Sequence, residues 1–383
     1  MLAPFPLGEN AVSGGDARAL SNRRLFEALG WSVTTVGIYP GAGGAAGSDI
    51  LLSDPALETA LEADMAFGGL HMALAAESDP AGRRALTGAI EAAAPDLIVV
   101  EHPWPWPLLR RVLADLGGRR PRLIYSAHNI EAELRPLLYP YCPVAPGAET
   151  RRLAVEAMER ELAQAADVVL AISGEDARYM RDRWGVEATV LPPISGLPEV
   201  AEPEAARPQR YAAMVASAFW PNVDGFFWAF PDGLGVLRLG ETVAAAGSVG
   251  PAIEADARFG SFRALNQSRF RSLGPLPSAD LARVLRAASC VILPVRVGAG
   301  ANMKTADALW SGRPVVCTPK ALVGYPHASP GAGLYVADDP GDFRRLVRAG
   351  VRGELAPPPP GAAAFGERDA LAILRAALPG AGG

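Results

Sequence analysis

A continuous stretch between residues 290 and 325 constrains the fold of this chain more than any other. It begins with an apolar run, Cys290–Val295, which predicts a buried strand, and continues through the glycine turn Gly298–Gly300. A helix is predicted over residues 301–312, and a second buried strand over Pro314–Cys317. Strand, glycine turn, helix and strand in this order are typical of a parallel sheet with crossover helices.

The same stretch has the features of an anion-binding site. Glycines let backbone N–H groups approach a phosphate, and a helix N-terminus adds roughly half a positive charge. The chain has only two lysines, Lys304 and Lys320, so 34 of its 36 basic residues are arginine. Lys304 in the first helical turn is predicted to contact a pyrophosphate as a compact ammonium. Asp307, one turn later, is predicted to accept hydrogen bonds from sugar or ribose hydroxyls. Chance placement of the lysines is the alternative.

A dinucleotide-binding fingerprint is the rival interpretation of this turn, because Gly-Ala-Gly begins the pattern G-x-G-x-x-G. The third glycine of that pattern is replaced by Met303. The next strand ends in Cys317-Thr318, where an acidic residue for a ribose is expected. The dinucleotide interpretation is therefore weak.

Composition limits the class of protein. With 383 residues, half of them apolar, the chain can form two domains of ordinary size. A net charge of −5 argues against a nucleic-acid partner. No apolar run reaches the ~18 residues of a membrane span, and the N-terminus has no signal-peptide pattern. The three cysteines are scattered and predict neither disulfides nor a metal site. A cytoplasmic location is expected, and peripheral contact with a membrane stays open.

The order of predicted elements is an alternation of strands and helices, with polar residues placed just after the strands. Ligands bind at that edge in open α/β sheets. We predict a first Rossmann-like domain over residues 1–195, a second over 209–360, and a final segment, 361–383, whose helix crosses back to the first domain. Residues 192–208 have linker composition. The first strand has only Met1–Phe5 available, and a start upstream of Met1 stays open.

Several short motifs together resemble the family-4 retaining glycosyltransferases, which have the GT-B fold of two Rossmann-like domains with parallel sheets facing across a cleft. The motifs that carry the resemblance follow one another in the family's order over roughly 300 residues: Gly14-Gly15, Ser126-Ala-His128-Asn129, Ala171-Ile-Ser173, Val190-Leu-Pro192, Val215-Ala-Ser217, Pro221-Asn222, Gly274-Pro-Leu, Pro294-Val-Arg-Val-Gly-Ala-Gly, Lys304, Asp307-Ala-Leu and Gly312-Arg-Pro-Val-Val. The resemblance implies transfer of a sugar from a nucleotide-diphosphate sugar to a hydroxyl acceptor, with no metal and no other cofactor.

Residues and resemblance together give a candidate site. The predicted catalytic residues are His128, Lys304 and Asp307. The predicted donor- and phosphate-binding residues are Gly14, Gly15, Arg296, Gly298, Gly300, Ala301 and Asn302. An acceptor cleft is predicted at His102, Trp104 and Asn129. For His102 and its aromatic neighbours, packing is the alternative, and for Asn129 and Glu131 it is capping of the next helix.

Departures from the family pattern put the catalytic set in question more than the fold. Asp307 stands where the family commonly has the longer Glu, and Val297 and Ala299 offer no further acid. Residues 211–232 contain no basic residue, and Pro193-Ile194 replaces an Asn-Gly. A sugar-nucleotide epimerase of the same architecture and a non-catalytic partner subunit are therefore the alternatives. The sequence does not identify the sugar, the nucleotide, the acceptor or the oligomeric state.

Overall fold

The computed structural model describes residues 1–8, 13–41, 49–117, 120–200, 209–328, 330–331, 333–359 and 365–378. The chain divides into two units: Met1–Glu9, Arg18–Pro192 and Glu367–Gly383 form the first, and Asn10–Ala17 and Pro193–Gly366 form the second. Most of the glycine-rich loop 41–47 and part of the predicted linker 192–208 lie outside the described residues.

The first unit contains a seven-stranded parallel sheet in the order β3-β2-β1-β4-β5-β6-β7. The strands are β1 (Leu2–Ala3), β2 (Val36–Pro40), β3 (Ile50–Leu52), β4 (Leu97–Glu101), β5 (Arg122–Ser126), β6 (Val168–Ala171) and β7 (Thr189–Val190). The helices along this part of the chain are α1 (Gly14–Ala28), α2 (Pro55–Ala63), α3 (Gly68–Ser78), α4 (Pro80–Ala93), α5 (Trp106–Asp115), α6 (Glu131–Leu138), α7 (Ala148–Ala165) and α8 (Gly174–Trp184), with a 3₁₀ turn at Met65–Phe67.

The second unit contains a six-stranded parallel sheet in the order β10-β9-β8-β11-β12-β13. Its strands are β8 (Tyr211–Val215), β9 (Thr242–Ala246), β10 (Phe270–Gly274), β11 (Cys290–Leu293), β12 (Val315–Cys317) and β13 (Leu334–Val336). Its helices are α9 (Trp220–Ala229), α10 (Val249–Ala255), α11 (Ala257–Ser261), α12 (Arg263–Arg269), α13 (Ser278–Ala287), α14 (Met303–Trp310) and α15 (Pro340–Val351), with 3₁₀ turns at Gly233–Val236 and Pro319–Leu322. The last helix, α16 (Glu367–Ala377), belongs to the first unit.

The central strands of the second sheet are buried on both faces. In β8, Ala212 and Met214 pack into a core with Phe226 and Phe230, whereas Tyr211 and Ala213 belong to a second core on the other face. A parallel strand between two helical layers therefore appears in the sequence as an unbroken apolar run. This is why β4, β5, β8 and β11 could be predicted from the sequence.

From the sequence a strand is also predicted near residues 236–239, and this prediction is wrong. The chain forms a 3₁₀ turn at Gly233–Val236 instead. Leu234 and Leu237, three residues apart, are both buried in the core, which is the spacing of a turn and not of a strand. The short strands β3, β10 and β13 were not predicted. Among the described helices, none has the length and apolar character needed to cross a bilayer.

Candidate functional site

The glycine turn and α14 place Lys304 at the carboxyl edge of the six-stranded sheet. Gly298 and Gly300 take φ values of 155° and 64°, a region that favours glycine. Lys304 is the second residue of α14, as the sequence predicts, and its Nζ donates to Asn222 Oδ1. Asn222 Nδ2 donates to Ser217 O at 3.0 Å, which fixes the amide orientation. Burial lowers the pKa of Lys304 to about 8. The ammonium thus has only a neutral partner, and it lies near the N-terminus of a helix, where the helix dipole disfavours a positive charge.

Asp307 lies one turn further along α14. Its Oδ1 accepts a hydrogen bond from Ser195 Oγ at 2.7 Å. Burial raises the pKa of Asp307 to about 6, although the hydrogen bond from Ser195 acts in the opposite direction. The carboxylate therefore already accepts from a hydroxyl, the chemistry that the sequence predicts for it toward a sugar or ribose.

The other loop residues predicted from the sequence in the second unit are Arg296, Ala301 and Asn302. Arg296 is exposed, and its guanidinium lies 4.7 Å from the centre of the Trp228 ring. Asn302 precedes α14 without a side-chain cap, and its carbonyl accepts from Tyr325 OH at 2.5 Å. Ala301 is buried. Their predicted contacts with a phosphate stay predictions.

Gly14 and Gly15 are the first two residues of α1, whereas the sequence predicts a turn ahead of a helix starting near Ala17. Asp16 Oδ2 accepts the backbone N–H of Ser13 at 3.1 Å, and Ser13 Oγ accepts the backbone N–H of Asp16 at 3.3 Å. This reciprocal pairing is a capping box, which starts the helix three residues earlier than predicted. A phosphate role for the two glycines stays a prediction.

His128 lies in the first unit, two residues after β5, and is buried. Its Nε2 lies 2.6 Å from Glu101 Oε2, at the end of β4. Asn22 Nδ2 donates to Glu101 Oε1 and to Ser126 Oγ, both at 3.0 Å. Burial, and then the neighbouring His102, lower the pKa of His128 to about 4. Burial would raise the pKa of Glu101, but the hydrogen bonds from His128, Asn22 and Ser126 bring it below its usual value. At neutral pH a neutral imidazole thus faces a carboxylate.

His102 follows β4 directly and stacks on His128, with 3.8 Å between ring centres and a tilt of 39°. His102 Nδ1 lies 3.1 Å from Oε1 of Glu131, the first residue of α6. Burial opposes ionisation of Glu131, yet the Arg135 guanidinium and the His102 hydrogen bond lower its pKa to about 2. Two stacked histidines therefore each face a buried carboxylate.

The remaining predicted acceptor-cleft residues, Trp104 and Asn129, have different surroundings. Trp104 is 7% exposed and packs so tightly on Gly69 that a Cβ there would lie 2.4 Å from the indole. It is a core side chain, the packing alternative that the sequence leaves open. Asn129 lies beside the histidine pair, and its Nδ2 donates to Glu131 Oε1 at 3.4 Å.

Three polar residues at these sites were not assigned from the sequence: Glu101, Glu131 and Asn222. Glu101 had a usable signal, because an acid that ends an apolar strand and precedes a histidine must be paired if it is buried. Glu131 was a weaker candidate, with capping of the next helix as its alternative. Among the described residues, no group of three or more His, Cys, Asp or Glu is placed to hold a metal ion.

Acidification should destabilise the histidine cluster. The ordinary pKa of His128 is 6.5, and in the folded protein it is about 4. As the pH falls from 6.5 to about 4, His128 is protonated in the unfolded chain but not in the folded one, so the folded state loses stability. Glu101, with a lowered pKa, contributes in the same direction. Calorimetry between about pH 7 and about pH 4.5 measures this effect. The melting temperature should fall more steeply with decreasing pH in the wild type than in His128→Gln. Equal slopes would contradict this assignment.

Comparison with known proteins agrees with the fold. Residues 13–194 match a family model described as a glycosyl transferase 4-like domain. Residues 213–352 match one described as glycosyl transferases group 1. A search of curated proteins found no match.

Solved structures similar to this chain include a sucrose-phosphate synthase from Thermosynechococcus elongatus, with 14% identity, 98% of this chain and 94% of that chain covered, and a TM-score of 0.63. WaaG, a glycosyltransferase involved in lipopolysaccharide biosynthesis, has 14% identity, coverage of 97% and 94%, and a TM-score of 0.59. Anabaena HepE in complex with UDP and glucose has 13% identity, coverage of 98% and 94%, and a TM-score of 0.57.

At these identities the structures establish the fold, and the two family models, which together cover most of the chain, establish the family. The predicted fold class of two Rossmann-like domains with parallel sheets is confirmed. The chain belongs to the family-4 type of glycosyltransferases, with the GT-B fold.

Proposed function

We propose that this protein transfers a sugar from a nucleotide-diphosphate sugar to a hydroxyl acceptor, with retention of anomeric configuration and without a metal ion. The observation that carries the proposal is Lys304, a half-buried lysine in the first turn of α14 whose ammonium donates to a neutral amide. A diphosphate leaving group gains charge as the sugar departs, and a fixed cation there stabilises the transition state.

The residues of the second unit would each have a part in this reaction. Lys304, Arg296 and the backbone of Gly298–Gly300 would hold the diphosphate, which is the contribution that a divalent ion makes in other enzymes. Asp307 would exchange its hydrogen bond from Ser195 for one from a ribose or sugar hydroxyl. The histidine cluster of the first unit would serve the acceptor. A cytoplasmic location stays a prediction from the sequence.

The test is a panel of nucleoside diphosphates and their sugars, beginning with UDP because structural relatives were solved with it. We expect one diphosphate to raise the melting temperature, and its sugar to be consumed with release of that diphosphate when an acceptor is added. Excess EDTA should change neither result, and NMR of the product should show the donor's anomeric configuration. Loss of turnover in EDTA would overturn the metal-independent form of the proposal.

The alternatives give different results in the same panel. Isomerisation of the donor sugar without any acceptor would indicate an epimerase. Binding of a diphosphate with no turnover across the panel would favour a non-catalytic subunit. No binding of any diphosphate would reject the proposal altogether.

A further inference from the structure

The two stacked histidines of the first unit differ in access to solvent. The side chain of His102 is 13% exposed, and that of His128 is 4% exposed. His128 Nε2 faces Glu101, and its Nδ1 is buried with no hydrogen-bond partner among the described residues. Because its free Nδ1 is buried and the His102 ring centre lies 3.8 Å from its own, His128 could meet a hydroxyl only after the cluster opens.

Glu131 determines which nitrogen of His102 is available. Its carboxylate is ionised at neutral pH and can only accept a hydrogen bond, so the facing Nδ1 carries the proton. In the neutral ring Nε2 is then an acceptor. Within the described part of the chain, Nε2 has no hydrogen-bond partner.

The support around Glu131 is rigid. Arg135 forms an ion pair with its other oxygen, and Arg135 Nη1 also donates to Ala66 O at 2.8 Å. Glu159 accepts the backbone N–H of Glu131 at 2.7 Å and so fixes where α6 begins. These contacts hold the carboxylate in place, and through it the His102 ring.

The backbone of His102 is also unusual. Its φ is 65°, and among described non-glycine residues only Ala94 is likewise positive. Ala94 ends α4, where a left-handed residue is a common cap, but His102 ends no helix. Backbone strain of this kind persists where the surroundings impose it and is concentrated at functional sites.

We propose that His102, oriented by Glu131, is the histidine that contacts the acceptor hydroxyl, and that His128 is its buried support. Nε2 of His102 would accept a hydrogen bond from the hydroxyl and hold its oxygen for attack. This inference rests on the proposed sugar transfer. It differs from the sequence prediction, in which His128 is the catalytic histidine and His102 only lines the acceptor cleft.

The first test measures access without any substrate. Diethyl pyrocarbonate acylates unprotonated imidazole nitrogens, and the chain has only four histidines, so each modification can be located by mass spectrometry. In the native protein we expect His102 to react faster than His128. Exposed His327 serves as a fast internal standard. Equal or faster reaction of His128 would overturn the assignment.

The second test separates this inference from the proposed function. His102→Gln should lower kcat/KM for the acceptor by about 10²-fold, the range for one lost group that acts on a reacting hydroxyl. It should leave UDP affinity unchanged, and His327→Gln should change neither. Absence of turnover in the wild type would count against the proposed function, whereas wild-type turnover that His102→Gln retains would overturn the role of His102.

Glu131→Gln tests the positioning role. The amide can donate as well as accept, so the protonated nitrogen of His102 is no longer fixed. Nitrogen-15 NMR of the ring should show the Nδ1–H tautomer in the wild type and a mixture in Glu131→Gln, assigned with His102→Gln. An Nε2–H tautomer in the wild type would contradict the proposal, even where Glu131→Gln folds poorly.

Discussion

Lys304→Met should weaken UDP binding about ten- to hundredfold, because the loss of a charge-assisted hydrogen bond costs about 1.5–3 kcal/mol. Methionine keeps most of the side-chain volume and removes only the charge and the donor. Lys304→Arg should restore binding in part, since the planar guanidinium is bulkier than an ammonium beside Gly298 and Gly300. Isothermal calorimetry on the three proteins measures the effect.

Lys320→Met is the matched control, because Lys320 is the other lysine of the chain and lies in the 3₁₀ turn Pro319–Leu322. It should leave UDP affinity within about twofold, because Lys320 is not on α14 and a substitution away from the site has a small effect. Equal weakening by both substitutions would indicate a general electrostatic effect. Unchanged affinity in Lys304→Met would place the anion site elsewhere.

The pH dependence gives an independent check on Lys304. Its pKa in the folded protein is about 8, below the ordinary 10.5. UDP affinity should therefore decrease as the pH rises through about 8 in the wild type, but not in Lys304→Arg, whose side chain stays charged. The stability of the ligand-free protein should change with pH in the opposite direction. Between the folded pKa of about 8 and the ordinary value of 10.5, the unfolded chain holds a proton that the folded chain has lost, so stability increases with pH. Lys304→Met should lack that increase.

The sequence predicted β11, the glycine turn, α14 and β12 well because local signals agree there. β11 and β12 are apolar runs, glycine marks the turn, and Lys304 falls in the first turn of α14 as expected. The short strands β3 and β13 carry little periodic signal. Residues 236–239 resembled a strand because the apolar Leu237 and Leu239 are two positions apart, but the chain forms a 3₁₀ turn at Gly233–Val236.

The histidine cluster could be predicted only in part. Its histidines follow strands β4 and β5, so the sheet edge was a sound expectation. The pairing of His128 with Glu101 and of His102 with Glu131 depends on contacts between residues 27 and 29 positions apart. The position of the His102 ring over His128 depends on the backbone of His102, which has a positive φ. No local sequence pattern predicts a positive φ at this residue.

The pair of Glu101 and His128 gives the largest expected effect on stability. Glu101 is completely buried, and its carboxylate accepts hydrogen bonds from His128, Asn22 and Ser126. His128→Ala removes the ring and leaves a buried charge with too few donors. We expect a loss of about 3 kcal/mol, the lower end of the range for a buried pair that loses one partner. For a unit of this size that is a fall in Tm of about 6–12 °C.

A double-mutant cycle separates the charge from the packing. In a Glu101→Gln background no carboxylate remains, so His128→Ala should cost less than in the wild type, and the difference is the coupling energy of the pair. Glu161→Ala is the control, because Glu161 pairs with Arg110 at the surface, where both side chains are more than a third exposed. An exposed pair contributes only about 0–1 kcal/mol. If His128→Ala lowered the free energy of unfolding no more than Glu161→Ala does, the buried pair would not be what stabilises the ends of β4 and β5. The support that we assign to His102 would then have to come from Glu131 alone.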